Sequence, residues 1–330
     1  MKVSLKKIIV PSIPLAVLSV TFCFLLWMSA LFGERYTNIP EHTTFLIDFI
    51  QTLFSPNTLI SYLLSFAFNL LNAYLLAQLN NKFTLIRTRT FLPILIFLLL
   101  MGTWSETHMV NGSHLSLTLA ILSLFFFFSM YRNTNASEQA FMGSILFSSA
   151  SLIVNPLIFL LPLCWIGFVM FQSFSLRTLL ASIFGGITPW LLYIAGQYIF
   201  QSDINLNSLL LTNLATGINF TTISVVSIIY FSILAIIMIV NLVGLYSNAH
   251  SDAMNTRVNL HFLILLLVAI LIITFIFNNQ FASFLPFIAL IYSILVSHAF
   301  TLKQNNFFGY VFIVFFSVNI VYVISNFFIF

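Results

Sequence analysis

Residues 139–172 read QAFMGSILFSSASLIVNPLIFLLPLCWIGFVMFQ, and no charged side chain occurs among them. A single helix of these 34 residues would be about 51 Å long, against a hydrocarbon core of about 30 Å. Asn155-Pro156 falls near the middle, and proline disfavours helical geometry in the residue before it. The run is therefore either one kinked helix or two short helices that turn at Asn155-Pro156.

Charge separates these alternatives. With a hairpin here, and a second pair of short helices over 91–131, the cytoplasmic loops collect Lys2, Lys6, Lys7, Lys82, Arg87, Arg89, Arg132, Arg177, Arg257 and Lys303. Arg35 alone falls outside. A single crossing over 139–172 would send Arg177, Arg257 and Lys303 to the far side, so the positive-inside rule favours the hairpin.

The rest of the chain obeys the same solvent. Charged residues are 5% of the sequence, hydrophobic residues 61%, and the mean hydropathy is +1.09. A soluble surface needs about 25% charge, so lipid is the solvent for most of this chain. Apolar spans are expected near 9–32, 57–79, 178–201, 223–246, 259–277, 283–301 and 307–328. Together with the two short pairs they predict an all-α polytopic protein with about eleven transmembrane helices. Its N-terminus is expected in the cytoplasm of a cell whose inner (plasma) membrane holds it. The first helix is expected to be retained, because no small-x-small cleavage site follows it. Residues 1–330 then form a single transmembrane domain. Its outer loops are 34–56, where Phe45, Phe49 and Leu53 suggest an interfacial helix, and 202–222.

The net charge of +4 does not indicate nucleic acid, since the basic residues are sparse and scattered. Cys23 and Cys164 lie in apolar runs and read as small buried hydrophobes. The P-loop, the dinucleotide glycine pattern, CxxC, HExxH and GxSxG are all missing from the sequence.

Glu34, Glu41, Asp48, Glu106 and Asp203 fall on the predicted outer face, and Glu138 and Asp252 on the other. The positive-inside rule says little about acids, so their bias marks that face as the place for chemistry. Glu34 beside Arg35 ends the first helix. Glu106, His108 and His114 occupy the polar segment 104–114, where carboxylate and imidazole suit an acid–base pair or a divalent metal ion as cofactor. Glu41-His42 and Asp48 form a third, weaker group. Inside the predicted helices the polar residues are Asn69, Asn72, Asn155, Gln197, Asn241, His261 and His298. No acid, lysine or arginine lies mid-helix, which weighs against an ion-coupled transporter.

The succession of a carboxylate-bearing first outer loop, short helix pairs, Leu146 to Leu163 with its Asn155-Pro156, and Phe184-Gly-Gly-Ile-Thr-Pro-Trp190 resembles the GT-C class of glycosyltransferases. It also resembles a family of uncharacterised bacterial polytopic membrane proteins, over roughly residues 57 to 200. The GT-C likeness implies a polyprenyl-phosphate sugar donor used on the extracytoplasmic face. Glu34 would then be the base or metal ligand, Glu106 and His108 would assist, and Arg35 and His114 would contact the substrate. Many members carry two adjacent acids, where this chain has Glu34-Arg35. The concentration of acids on one face favours the enzyme reading; the alternative is a non-catalytic membrane subunit or scaffold that holds a membrane-protein partner or lipid.

Overall fold

The computed structural model describes residues 13–29, 58–199, 225–248, 250, 252–277, 280–302 and 306–328. Eleven α-helices lie among them: α1 (Ile13–Ser29), α2 (Thr58–Phe83), α3 (Leu92–Thr103), α4 (Gly112–Ser129), α5 (Ser137–Ile153), α6 (Leu161–Met170), α7 (Leu176–Ile199), α8 (Val225–Asn248), α9 (Met254–Ile276), α10 (Phe281–Leu302) and α11 (Asn306–Phe328). Short 3-10 turns at Ser105–Thr107 and Asn155–Leu160 interrupt the series.

The expectation of about eleven membrane crossings needs correction. Among the described residues seven helices are long and apolar enough to cross: α2, α4 and α7 through α11. The other four are shorter over their described residues. Helices α3 and α6 have 12 and 10 residues, about 18 and 15 Å at 1.5 Å per residue. Helices α1 and α5 are each described over 17 residues, about 26 Å. Hydropathy recognises an apolar helix but not whether lipid or protein surrounds it. Helix α3 makes the point, since nearly all of its residues are buried and it packs against α1, α2, α10 and α11. Helix α10 is the other central element, buried almost throughout from Phe284 to Thr301.

Contacts between helix ends show which loops share a side. The Phe83 and Phe128 rings are 5.5 Å apart, Thr256 Oγ1 donates to Thr84 O at 3.0 Å, and Arg132 N donates to Phe171 O at 2.9 Å. These gather the ends of α2, α4 and α6 with the start of α9 at what we term the basic end. The last bond also shows that the chain entering α5 returns through α6 to where it began. At the opposite end Val110 N donates to Ser61 Oγ, Trp104 Nε1 donates to Tyr230 OH, and the Phe159 ring stacks on Phe277.

Helices α5 and α7 meet through a seam of small residues. The Ser144 and Ser182 hydroxyls are 2.7 Å apart, and Ser148 Oγ donates to Gly186 O at 2.5 Å. Trp190 Nε1 donates to Ser151 Oγ at 3.3 Å, lower in the same seam. In lipid, where apolar surface gives helices no reason to associate, close backbone approach and such hydrogen bonds hold them together. Phe184, Leu191 and Leu192 of α7 lie outside the seam and are exposed, as a lipid-facing surface requires.

Candidate functional site

The polar segment between α3 and α4 ends α3 at Thr103, whose hydroxyl turns back onto Leu99 O at 2.7 Å. Trp104 is extended, and Ser105–Thr107 make one 3-10 turn. Thr107 Oγ1 donates to Met101 O and Trp104 O, at 2.6 and 2.7 Å. The turn is therefore closed on itself before any neighbour is counted.

Both histidines of the segment are buried. The Nε2 of His108 lies 3.0 Å from Gly102 O. A carbonyl only accepts, so that nitrogen carries a hydrogen and donates. The ring packs on Trp27 with centroids 4.3 Å apart. Burial lowers the imidazole to a pKa of about 4, with His114 adding to the same direction, so at neutral pH His108 is an uncharged donor.

His114 ties three elements together. Its Nδ1 lies 3.2 Å from Asn111 O, and its Nε2 lies 3.1 Å from Thr107 O and 3.2 Å from Ser65 Oγ. Whichever nitrogen holds the proton, a backbone carbonyl is there to accept it. The opposing face of α2 is Ser61, Ser65, Asn69 and Asn72, all buried and spaced by three and four positions so that they share one side. Ser65 Oγ donates to Thr107 O at 3.0 Å, Asn72 Nδ2 to His114 O at 3.2 Å, and Thr118 Oγ1 to Asn72 Oδ1 at 2.8 Å. Asn69 takes no share, since neither of its amide atoms is hydrogen-bonded among the described residues.

Glu106 stands apart from this lock. It is exposed and accepts from Ser105 Oγ at 3.1 Å. Among the described residues no three of His, Cys, Asp or Glu converge where they would hold a metal ion. Glu34, Arg35, Glu41, His42, Asp48 and Asp203 lie outside the described residues, as do the loops 34–56 and 202–222. Asn155 opens the 3-10 turn between α5 and α6. Asn241 donates to Ile237 O within its own helix at 2.8 Å, and His261 stacks on Tyr246.

Two arrangements escaped the sequence reading. Trp104 Nε1 donates to Tyr230 OH at 3.2 Å, and that hydroxyl donates to Asn319 Oδ1 at 2.8 Å. The Tyr230 ring stacks on Tyr322 at 3.9 Å. The turn after α3 is thereby bonded to α8 and α11. At the basic end His298 Nε2 lies 3.1 Å from Asp252 Oδ2, with side chains 0% and 2% exposed. Burial is the signal for such a pair, and linear sequence does not show it for residues 46 positions apart.

Seven long apolar helices among the described residues, several with exposed apolar faces, define an integral, multi-pass, all-α membrane protein that contacts membrane lipid. No protein-family model matches the chain, and no curated protein or solved structure matches it either. The likeness to the GT-C enzymes finds no counterpart in these comparisons.

Proposed function

We propose that the chain is a non-catalytic membrane subunit, a helical scaffold that holds a protein partner or lipid against its outward apolar faces. The observation that carries this reading is the use to which the segment 104–114 puts its polar groups. His114 is bonded to backbone of its own segment and faces Ser65 of α2, while His108 donates to Gly102 O. Such groups fix helix packing, and a buried polar group left unpaired would cost more than the bond returns. In this reading the basic end, with Lys82, Arg87, Arg89, Arg132 and Arg257, faces the cytoplasm, and the opposite end faces outward across the inner membrane.

The proposal is tested on cells producing Glu34→Gln and Glu106→Gln. Both variants are expected to leave surface glycans unchanged. A partner recovered at fixed stoichiometry in mild detergent is expected to remain with both, and to be lost when Phe184 and Leu191 are replaced together by alanine. Loss of sugar transfer in either acid variant, with the protein still at wild-type level, would replace the scaffold by a GT-C-like transferase acting through that carboxylate.

A further inference from the structure

The loop between α2 and α3 is built, and its tip is basic. Thr84 takes a left-handed backbone with φ of 48°, a conformation that costs a β-branched residue and needs neighbours to hold it. Thr256 Oγ1 donates to its carbonyl at 3.0 Å. Ile86 N donates to Asn80 Oδ1 at 2.8 Å, and Leu92 N donates to Thr90 Oγ1 at 3.2 Å. Leu85 and Ile86 are buried. The His298 ring, in its buried pair with Asp252, sits against the Leu85 backbone and within electrostatic reach of Arg87. A loop pinned at both ends thus presents Arg87, Thr88 and Arg89, all exposed, next to the exposed Lys82 at the end of α2.

Among the described residues no carboxylate pairs with these cations, although the Lys82 ammonium lies over the Phe83 and Phe125 rings at 5.4 and 5.6 Å. The Asp252 carboxylate is hydrogen-bonded instead to the buried His298 ring. The two guanidinium groups make no ion pair among the described residues. Their height in the membrane is set by the chain itself, because the candidate span of α2 ends at Phe83 and apolar α3 begins at Leu92. The loop is therefore at the level of phospholipid headgroups. Guanidinium groups bind phosphate oxygens in paired hydrogen bonds. We propose that Lys82, Arg87 and Arg89 form a site for the headgroup of an anionic phospholipid, and that the Asp252–His298 pair is its positioning device. The proposal is independent of the scaffold reading.

The test is native mass spectrometry of the full chain in detergent, titrated with phosphatidylglycerol or with phosphatidylcholine of the same acyl chains. Wild type is expected to prefer phosphatidylglycerol. Arg87→Gln and Arg89→Gln are each expected to weaken its binding by about fivefold, with phosphatidylcholine binding unchanged. Asp252→Asn is expected to reduce the preference while the thermal midpoint in phosphatidylcholine stays at the wild-type value, which a purely structural role would not allow. An undiminished preference in the arginine double variant overturns the site. So does a parallel loss of both lipids, or retention of phosphatidylglycerol with loss of an acidic protein partner instead. An Asp252→Asn chain with full preference removes the positioning role.

Discussion

Gly185→Ala is expected to destabilise the protein by about 1–3 kcal/mol, while Gly186→Ala is expected to lie between neutral and about 1 kcal/mol more stable than wild type. The neighbouring glycines are both in α7, and alanine favours a helix over glycine by about 1 kcal/mol at either position. What differs is the space. A Cβ on Gly185 would stand 2.5 Å from the backbone oxygen of Phe141 and 3.1 Å from Ser144 Cβ, whereas one on Gly186 would meet the Leu161 methyls at 3.4 and 3.5 Å. A methyl end yields by rotating. A backbone oxygen inside a helix does not, so relief at Gly185 requires α5 and α7 to separate. Separation stretches the Ser144–Ser182 contact and the Ser148 bond to Gly186 O, adding about 0.6 kcal/mol for each bond lost to an overpacking cost of about 1–3 kcal/mol. Unfolding in mixed micelles of increasing SDS fraction measures the difference. Equal behaviour of the two variants would mean that α5 and α7 are not in close backbone contact.

The helical class and most helix positions were legible because lipid leaves an uncharged chain few alternatives to helix. The breaks were legible for the same reason. Segment 104–114 is polar where its neighbours are not, and Asn155-Pro156 stops a run that would otherwise be too long for one crossing. The number of crossings was not legible. Leu92 to Met101 is as apolar as any span, yet α3 has 12 residues and is enclosed by other helices. The candidate site shows the same boundary. Its polar residues drew notice as a group, but their use depends on partners far away in the chain. Ser65 and Asn72 are 42 positions from the groups they bind, and Tyr230 is 126 positions from Trp104. Asp252 meets His298 only because the fold closes the 46 positions between them.

His108 gives the remaining prediction, a loss of stability in mild acid. The residue lies in the turn between α3 and α4, and burial lowers its pKa from 6.5 to about 4. A histidine depressed in this way is neutral when folded and takes up a proton on unfolding at any pH between those values. Its contribution is fully present above pH 6.5 and is lost progressively as the pH falls toward 4. Each unit of that interval is worth about 1.4 kcal/mol, so the whole descent costs about 3 kcal/mol. His108→Gln keeps an N–H for Gly102 O in nearly the same place and removes the titration. Thermal midpoints measured from pH 7.5 to 4.5 are expected to fall more steeply for wild type than for the variant, and the difference between the two curves reports the His108 titration together with its coupling to His114. Parallel curves would show that the ring takes up its proton without leaving the fold, with water reaching it past Trp27. The turn after α3 would then be an open, hydrated feature of the end opposite the basic one, and the reading of this segment as a closed structural lock would lose its basis.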